Sequence, residues 1–192
     1  MSQRILHSCR CITAITALLC LSSGASARTI FDGNGQAQAE AFSRIYATFC
    51  MKHLSDLKKL TDRMAFSPQL PKEKAAQFLQ GKPGSAWPVP EQSGTFILAI
   101  RSDKPMCMVY GMKADNEAVE KTFSSMVKAA PSPMVIKQIQ DEQMNTRHGP
   151  AHSISYEWTM PKQPRKMLFS LTTTASDTAP LQALASAALI TK

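Results

Sequence analysis

Two cysteines, Cys50 and Cys107, constrain this chain most, because they are the only two of its five that lie beyond an export-like leader. Thiols carried to an oxidising compartment pair, and a pair this far apart joins distant elements of one small domain. The other three, Cys9, Cys11 and Cys20, fall within the first 27 residues. That segment has the order of a cleavable secretory signal: Arg4 and Arg10, an apolar stretch from Cys11 to Leu21, then the small residues Ser22 to Ala27. The stretch is shorter than the roughly 20 residues a membrane-spanning helix needs. Ala25 and Ala27 give the small-x-small pattern that a signal peptidase reads, so cleavage is expected after Ala27. Leu18 and Leu19 argue against a lipoprotein site at Cys20, which wants a small residue just before it. The expected product is a single domain over residues 28–192, periplasmic or secreted, with no transmembrane segment.

The chain holds 22 Lys and Arg against 14 Asp and Glu, a formal charge of +8. Without the leader, which has two of the bases and none of the acids, the balance is +6. Such a charge favours acidic partners and anionic surfaces. The bases are dispersed, however: Lys58-Lys59, Lys72 with Lys74, and Arg165-Lys166 are short groups, with no basic run interleaved with aromatics. Nucleic-acid binding is therefore not expected.

Periodicity predicts a long helix over Gln36 to about Ala65, with Phe42, Ile45, Tyr46, Phe49, His53, Leu57, Leu60 and Met64 in one stripe and Cys50 beside it. Pro71 starts a short second helix that stops at Gly81. Lys82 to Gly94, with Pro83, Gly84, Pro88, Pro90 and Gly94, reads as an ordered loop. Thr95 to Ile100 and Met106 to Met112 read as a hairpin of strands. Asp115 caps a third helix that runs to about Ala130. Strands over 134–140, 152–160 and 166–173 follow. In the second of these, Ile154, Tyr156, Trp158 and Met160 alternate with Ser153, Ser155, Glu157 and Thr159, giving one inner and one wet face. A final Ala-rich helix is expected after Pro180, with Leu181, Leu184, Ala188 and Leu189 on one side. The resulting order, ααββαβββα, implies an α+β fold: about five strands, antiparallel or mixed, helices mainly on one face, and one disulfide. That bond would lay the first helix across the Met106–Met112 strand. Closing a loop of this length stabilises a chain by about 4 kcal/mol in the chain-entropy model.

Chemistry-bearing motifs are sparse. Cys50 with His53 one turn on could hold a thiolate, but pairing with Cys107 consumes the nucleophile. Soft thioethers suit Cu(I), and Met106, Met108 and His53 form a candidate metal set. Against it, Met106 and Met108 share a strand face opposite to Cys107, and the methionines are more simply core fillers. His148 and His152 have ligand-like spacing, yet Gly149-Pro150 between them reads as a turn into a strand. Asp141-Glu142 and Asp115 with Glu117 are acid pairs of the kind common on turns and helix starts. No Gly-x-Ser-x-Gly, His-Glu-x-x-His, Cys-x-x-Cys or phosphate loop occurs. Trp87, among Ala86, Pro88, Val89 and Pro90, either plugs the edge of the core or anchors a partner. The expectation is a non-enzymatic binding protein without cofactor, acting on another envelope or extracellular protein as an inhibitor, immunity protein or assembly accessory. A hydrolase of envelope polymer or lipid, and a Cu(I) carrier, are the alternatives.

Overall fold

A computed structural model describes residues 33–176, 179 and 181–191 of the chain; the leader and its expected cleavage after Ala27 lie outside the described residues. Seven antiparallel strands form one sheet: β1 (Gly84–Val89), β2 (Thr95–Arg101), β3 (Met106–Met112), β4 (Val135–Thr146), β5 (Gly149–Thr159), β6 (Arg165–Thr174) and β7 (Ala183–Thr191). Their order is β1-β2-β3-β7-β6-β5-β4, so the last strand in sequence fills the centre and β1 and β4 are the edges. Helices α1 (Gly33–Ile45), α2 (Leu57–Met64) and α4 (Asn116–Lys128) contribute to the main core with one face of the sheet. Helix α3 (Lys72–Phe78) covers the other face, over β1 and β2. The α+β class, the single disulfide and the predominance of helices on one face agree with the sequence; the strand count and order do not.

Three departures have physical causes. The expected long helix breaks after α1 into a wide π segment, Tyr46–Met51, and a 3₁₀ turn, Leu54–Asp56. One wide turn shifts the inward stripe by a residue, so Cys50 and Leu54 are buried where a 3.6-residue period places Phe49 and His53. That shift aims Cys50 at β3. The disulfide to Cys107 follows, with Cα atoms 5.3 Å apart and both residues fully buried.

The Ala-rich segment expected as a helix is instead β7. Ala183, Ala185 and Ala187 lie in the main core, while Leu184, Ser186 and Ala188 point the other way, a period of two hidden by Ala's helix preference. Small side chains here let the π segment come close to the sheet, and Tyr46 donates from its hydroxyl to the Ser186 carbonyl at 2.8 Å. The Pro-rich connection, expected as a loop, carries β1. An edge strand tolerates Pro88, which has no N–H to give a ladder. Gly84 is required there, since a Cβ would come within 2.3 Å of the Ile100 carbonyl oxygen. Asp115 caps α4 as expected, accepting from the Ala118 N–H at 2.8 Å. No helix among the described residues is long and apolar enough to cross a membrane.

Candidate functional site

The sheet's second face changes character halfway across. One row of paired residues runs from β1 to β4 as Ala86, Ala99, Met108, Ser186, Ser170, Ser155 and Gln140. Ala86, Ala99 and Met108 are buried with Phe78 and Leu79 of the α3 region. From Ser186 onward the row lies beyond α3 and turns to hydroxyls. Ser155 Oγ lies 2.8 Å from Ser170 Oγ and 3.0 Å from Gln140 Oε1. In the adjacent row, Ser153 Oγ meets Thr172 Oγ1 at 3.2 Å. On the other side of the serine row, Lys166 Nζ and Glu157 Oε1 form an ion pair at 2.6 Å.

Each hydroxyl is both donor and acceptor, so the neighbours satisfy one another; Ser153 and Ser155 are buried, and the partly exposed Ser170, Thr172 and Ser186 retain capacity for a ligand's amides or hydroxyls. The result is a nearly neutral hydrogen-bonding face. At one end it dips into a cavity of about 360 Å³ between the β4–β5 turn, with Arg147 and His148, and the β6–β7 connection, with Leu181 and Gln182. Gln182 fixes that connection, donating from Nε2 to the Ala179 carbonyl at 2.8 Å.

On the helix-covered face, His152 joins three elements. Its Nδ1 is 2.9 Å from Glu120 Oε2 of α4, and its Nε2 is 2.8 Å from Asp141 Oδ1 of β4. Thr173 of β6 also donates to Glu120. Burial pulls the imidazole pKa down, but hydrogen bonds and charge from Asp141 and Glu120 outweigh it, so the pKa stands above its usual value. The His152 hydrogen bond correspondingly holds Asp141 below the usual carboxylate range. Both ring nitrogens face carboxylates, so neither is turned toward a nucleophile that it could serve as a base. The constellation clips α4 to the β4–β5 hairpin.

The residues singled out in the sequence are placed as follows. Cys50 and Cys107 form the buried staple. Trp87 is fully buried in the main core, so its indole has no surface to offer a partner; a β1 strand, rather than a loop, turns it inward. Met108 is buried beneath α3, beside Tyr110, and Met106 packs against the same cluster. His53 stands at the junction of the π segment and the 3₁₀ turn, which pack on the opposite face. The sheet therefore separates Met106 and Met108 from His53, and the three cannot meet one Cu(I).

His148 sits in the β4–β5 turn with Arg147 Nε at 2.9 Å, away from the His152 clip. Asp141 and Glu142 point to opposite faces, Asp141 to His152 and Glu142 to Gln140 Nε2 at 3.1 Å. A cleft of about 500 Å³ at the far end of the sheet is lined by Lys58, Arg101 and Lys104, together with Asp56 and Leu189. Its cations are largely answered, since Arg101 pairs with Asp103 and Lys58 with Asp62. Among the described residues, no group of three or more His, Cys, Asp or Glu could hold a metal ion.

Sequence reasoning reached one strip of this face, the polar side of β5, through its alternation, but expected it to be wet, whereas Ser153 and Ser155 are buried and only Glu157 and Thr159 are partly exposed. It missed Ser170 and Ser186 as members of the same row, because that needs strand register and a strand assignment for β7. No family model, curated protein or solved structure matches the chain.

Proposed function

We propose that the chain is a non-enzymatic binding protein of an oxidising, extracytoplasmic compartment, and that it engages a protein partner through the open face of β4 to β7. One observation carries the reading: half of one sheet face is apolar and covered by α3, while the other half bears two hydrogen-bonded groups of polar side chains, Ser153 with Thr172 and Gln140 with Ser155 and Ser170, whose outer members Ser170 and Thr172 are partly exposed. Polar groups that satisfy one another cost little to expose and little to dock on, since a partner's polar groups replace water without leaving a buried charge unpaired. The buried disulfide supports the oxidising compartment. The imidazole of His152, held between two carboxylates, supports a structural part for the most enzyme-like cluster in the described fold.

The test is affinity capture from the producing cells' envelope fraction, with the native chain and with a Ser170→Arg, Thr172→Arg variant as parallel baits. Both side chains are half-buried on the open face, so arginine there should spare folding and block docking, with unchanged thermal midpoints as the control. The expected outcome is at least one protein retained by the native chain and lost from the variant. An identical set on both baits, or turnover of an envelope polymer by the native chain, would contradict the reading.

A further inference from the structure

The edge strand β4 carries a pattern that complements itself. It is twelve residues long, exposed over most of its length, and pairs among the described residues only with β5. Val135, Ile139 and Met144 are three of the six exposed large apolar side chains among the described residues. Its register against β5 slips between Gln138 and Gln140, leaving Ile139 as the extra residue of a bulge.

The bulge decides which residues share a face. Lys137 stands opposite Glu157 and Glu142 opposite Ser153, both on the open face. Gln138 stands opposite Tyr156 and Asp141 opposite Ile154, both on the helix-covered face. In a regular strand Lys137 and Glu142, separated by an odd number of steps, would point in opposite directions. Here they point the same way.

We propose that two copies of this chain pair through β4, antiparallel, about a two-fold axis between Ile139 and Gln140. In that register Lys137 of one copy faces Glu142 of the other, Gln138 faces Asp141, Ile136 faces Gln143, and Val135 faces Met144, each pair then repeating by symmetry. Every one of these pairs joins residues of the same face, as antiparallel neighbours must. Two Lys–Glu pairs form and the exposed Val135 and Met144 cover each other. An axis placed on Ile139 would set Lys137 against Asp141, on opposite faces, and so fails.

A bulge and edge charges ordinarily keep a strand from pairing with any passing chain. A second copy carries the same bulge at the symmetric position, so the device that rejects other strands admits this one. Because the axis is perpendicular to the sheet, the open hydroxyl faces of both copies lie on one side. The pairing does not depend on what those faces bind.

The test uses the full exported chain with its disulfide intact, followed by sedimentation over a wide concentration range. Lys137→Glu and Glu142→Lys each place like charges opposite one another twice, so each is expected to raise the dimer dissociation constant at least about tenfold. The double exchange K137E/E142K restores opposite charges and is expected to return it to within about threefold of the native value. Thermal midpoints of the variants, measured where they are monomeric, separate loss of pairing from loss of fold. A chain that stays monomeric at the highest concentrations, a dimer indifferent to K137E, or a double exchange that fails to rescue would each overturn the proposal.

Discussion

The two edges of the sheet are built in opposite ways. Edge β1 is short, contains Pro88, and has its outer side occupied where the Leu70 N–H donates to the Ala86 carbonyl at 2.8 Å. Trp87 faces the core from this strand and α3 lies against it. Edge β4 is twice as long and carries Lys137, Asp141, Glu142 and a bulge, with no further backbone partner among the described residues. Its nearby anchor is the polar His152 clip instead of an apolar cover. The β1 half thus carries the buried disulfide and the α3 cover, and the β4 half is the one on which the proposed recognition rests.

The sharpest way to break this comparison is in the closed half. Replacing Cys50 and Cys107 by Ala is expected to lower the unfolding free energy by about 4 kcal/mol in urea denaturation, since the bridge spans a sequence separation of 57 residues. A loss under about 1 kcal/mol would show that the β1 half does not rest on its staple.

A smaller and pH-dependent effect is expected at the clip. The folded pKa of His152 is raised, so its contribution is fully present below the unfolded imidazole value, about 6.5, and fades as pH rises through the folded value. Asp141 is lowered, so its contribution is present above the unfolded carboxyl value, about 4, and fades as pH falls through the folded value. The clip is therefore strongest between these limits. His152→Gln should cost about 1–2 kcal/mol at pH 5.5 and clearly less at pH 8.5, by urea denaturation at each pH. An equal cost at both would mean that packing, not charge, holds α4 to the hairpin. At the far edge, Ile139→Lys should change monomer stability by less than about 0.5 kcal/mol, since the side chain is nearly half exposed. A larger loss would show that β4 is closed by something after all.

The closed half was the more legible in the sequence, because its signals are local or covalent. Cys50 and Cys107 announced their bond, Thr95 to Ile100 its interior strand, and Asp115 its helix cap. What escaped was decided by neighbours distant in sequence. Ala183 to Ala188 has helix-favouring composition, but a slot between β3 and β6 and the close π segment select small residues in a strand. Gly84 to Val89 has loop composition, yet Trp87 has a core to fill and an edge position excuses Pro88. A wide turn at Tyr46–Met51 cannot be seen by any fixed helical period, and it exchanged Phe49 and His53 for Cys50 and Leu54 on the core side. The open face was legible only in its β5 strip. Joining Ser155 to Ser170 and Ser186 takes register, and joining Lys137 to Glu142 takes the bulge.

Recognition by the open half is tested most directly by site-specific photo-crosslinking in the producing cells, with a photoreactive residue placed at Ser170 in one strain and at the exposed Lys59 of α2 in another. The prediction is a discrete heterologous protein adduct from position 170 and none from position 59. Adducts from position 59 alone, or none from either while the protein is folded and exported, would contradict it.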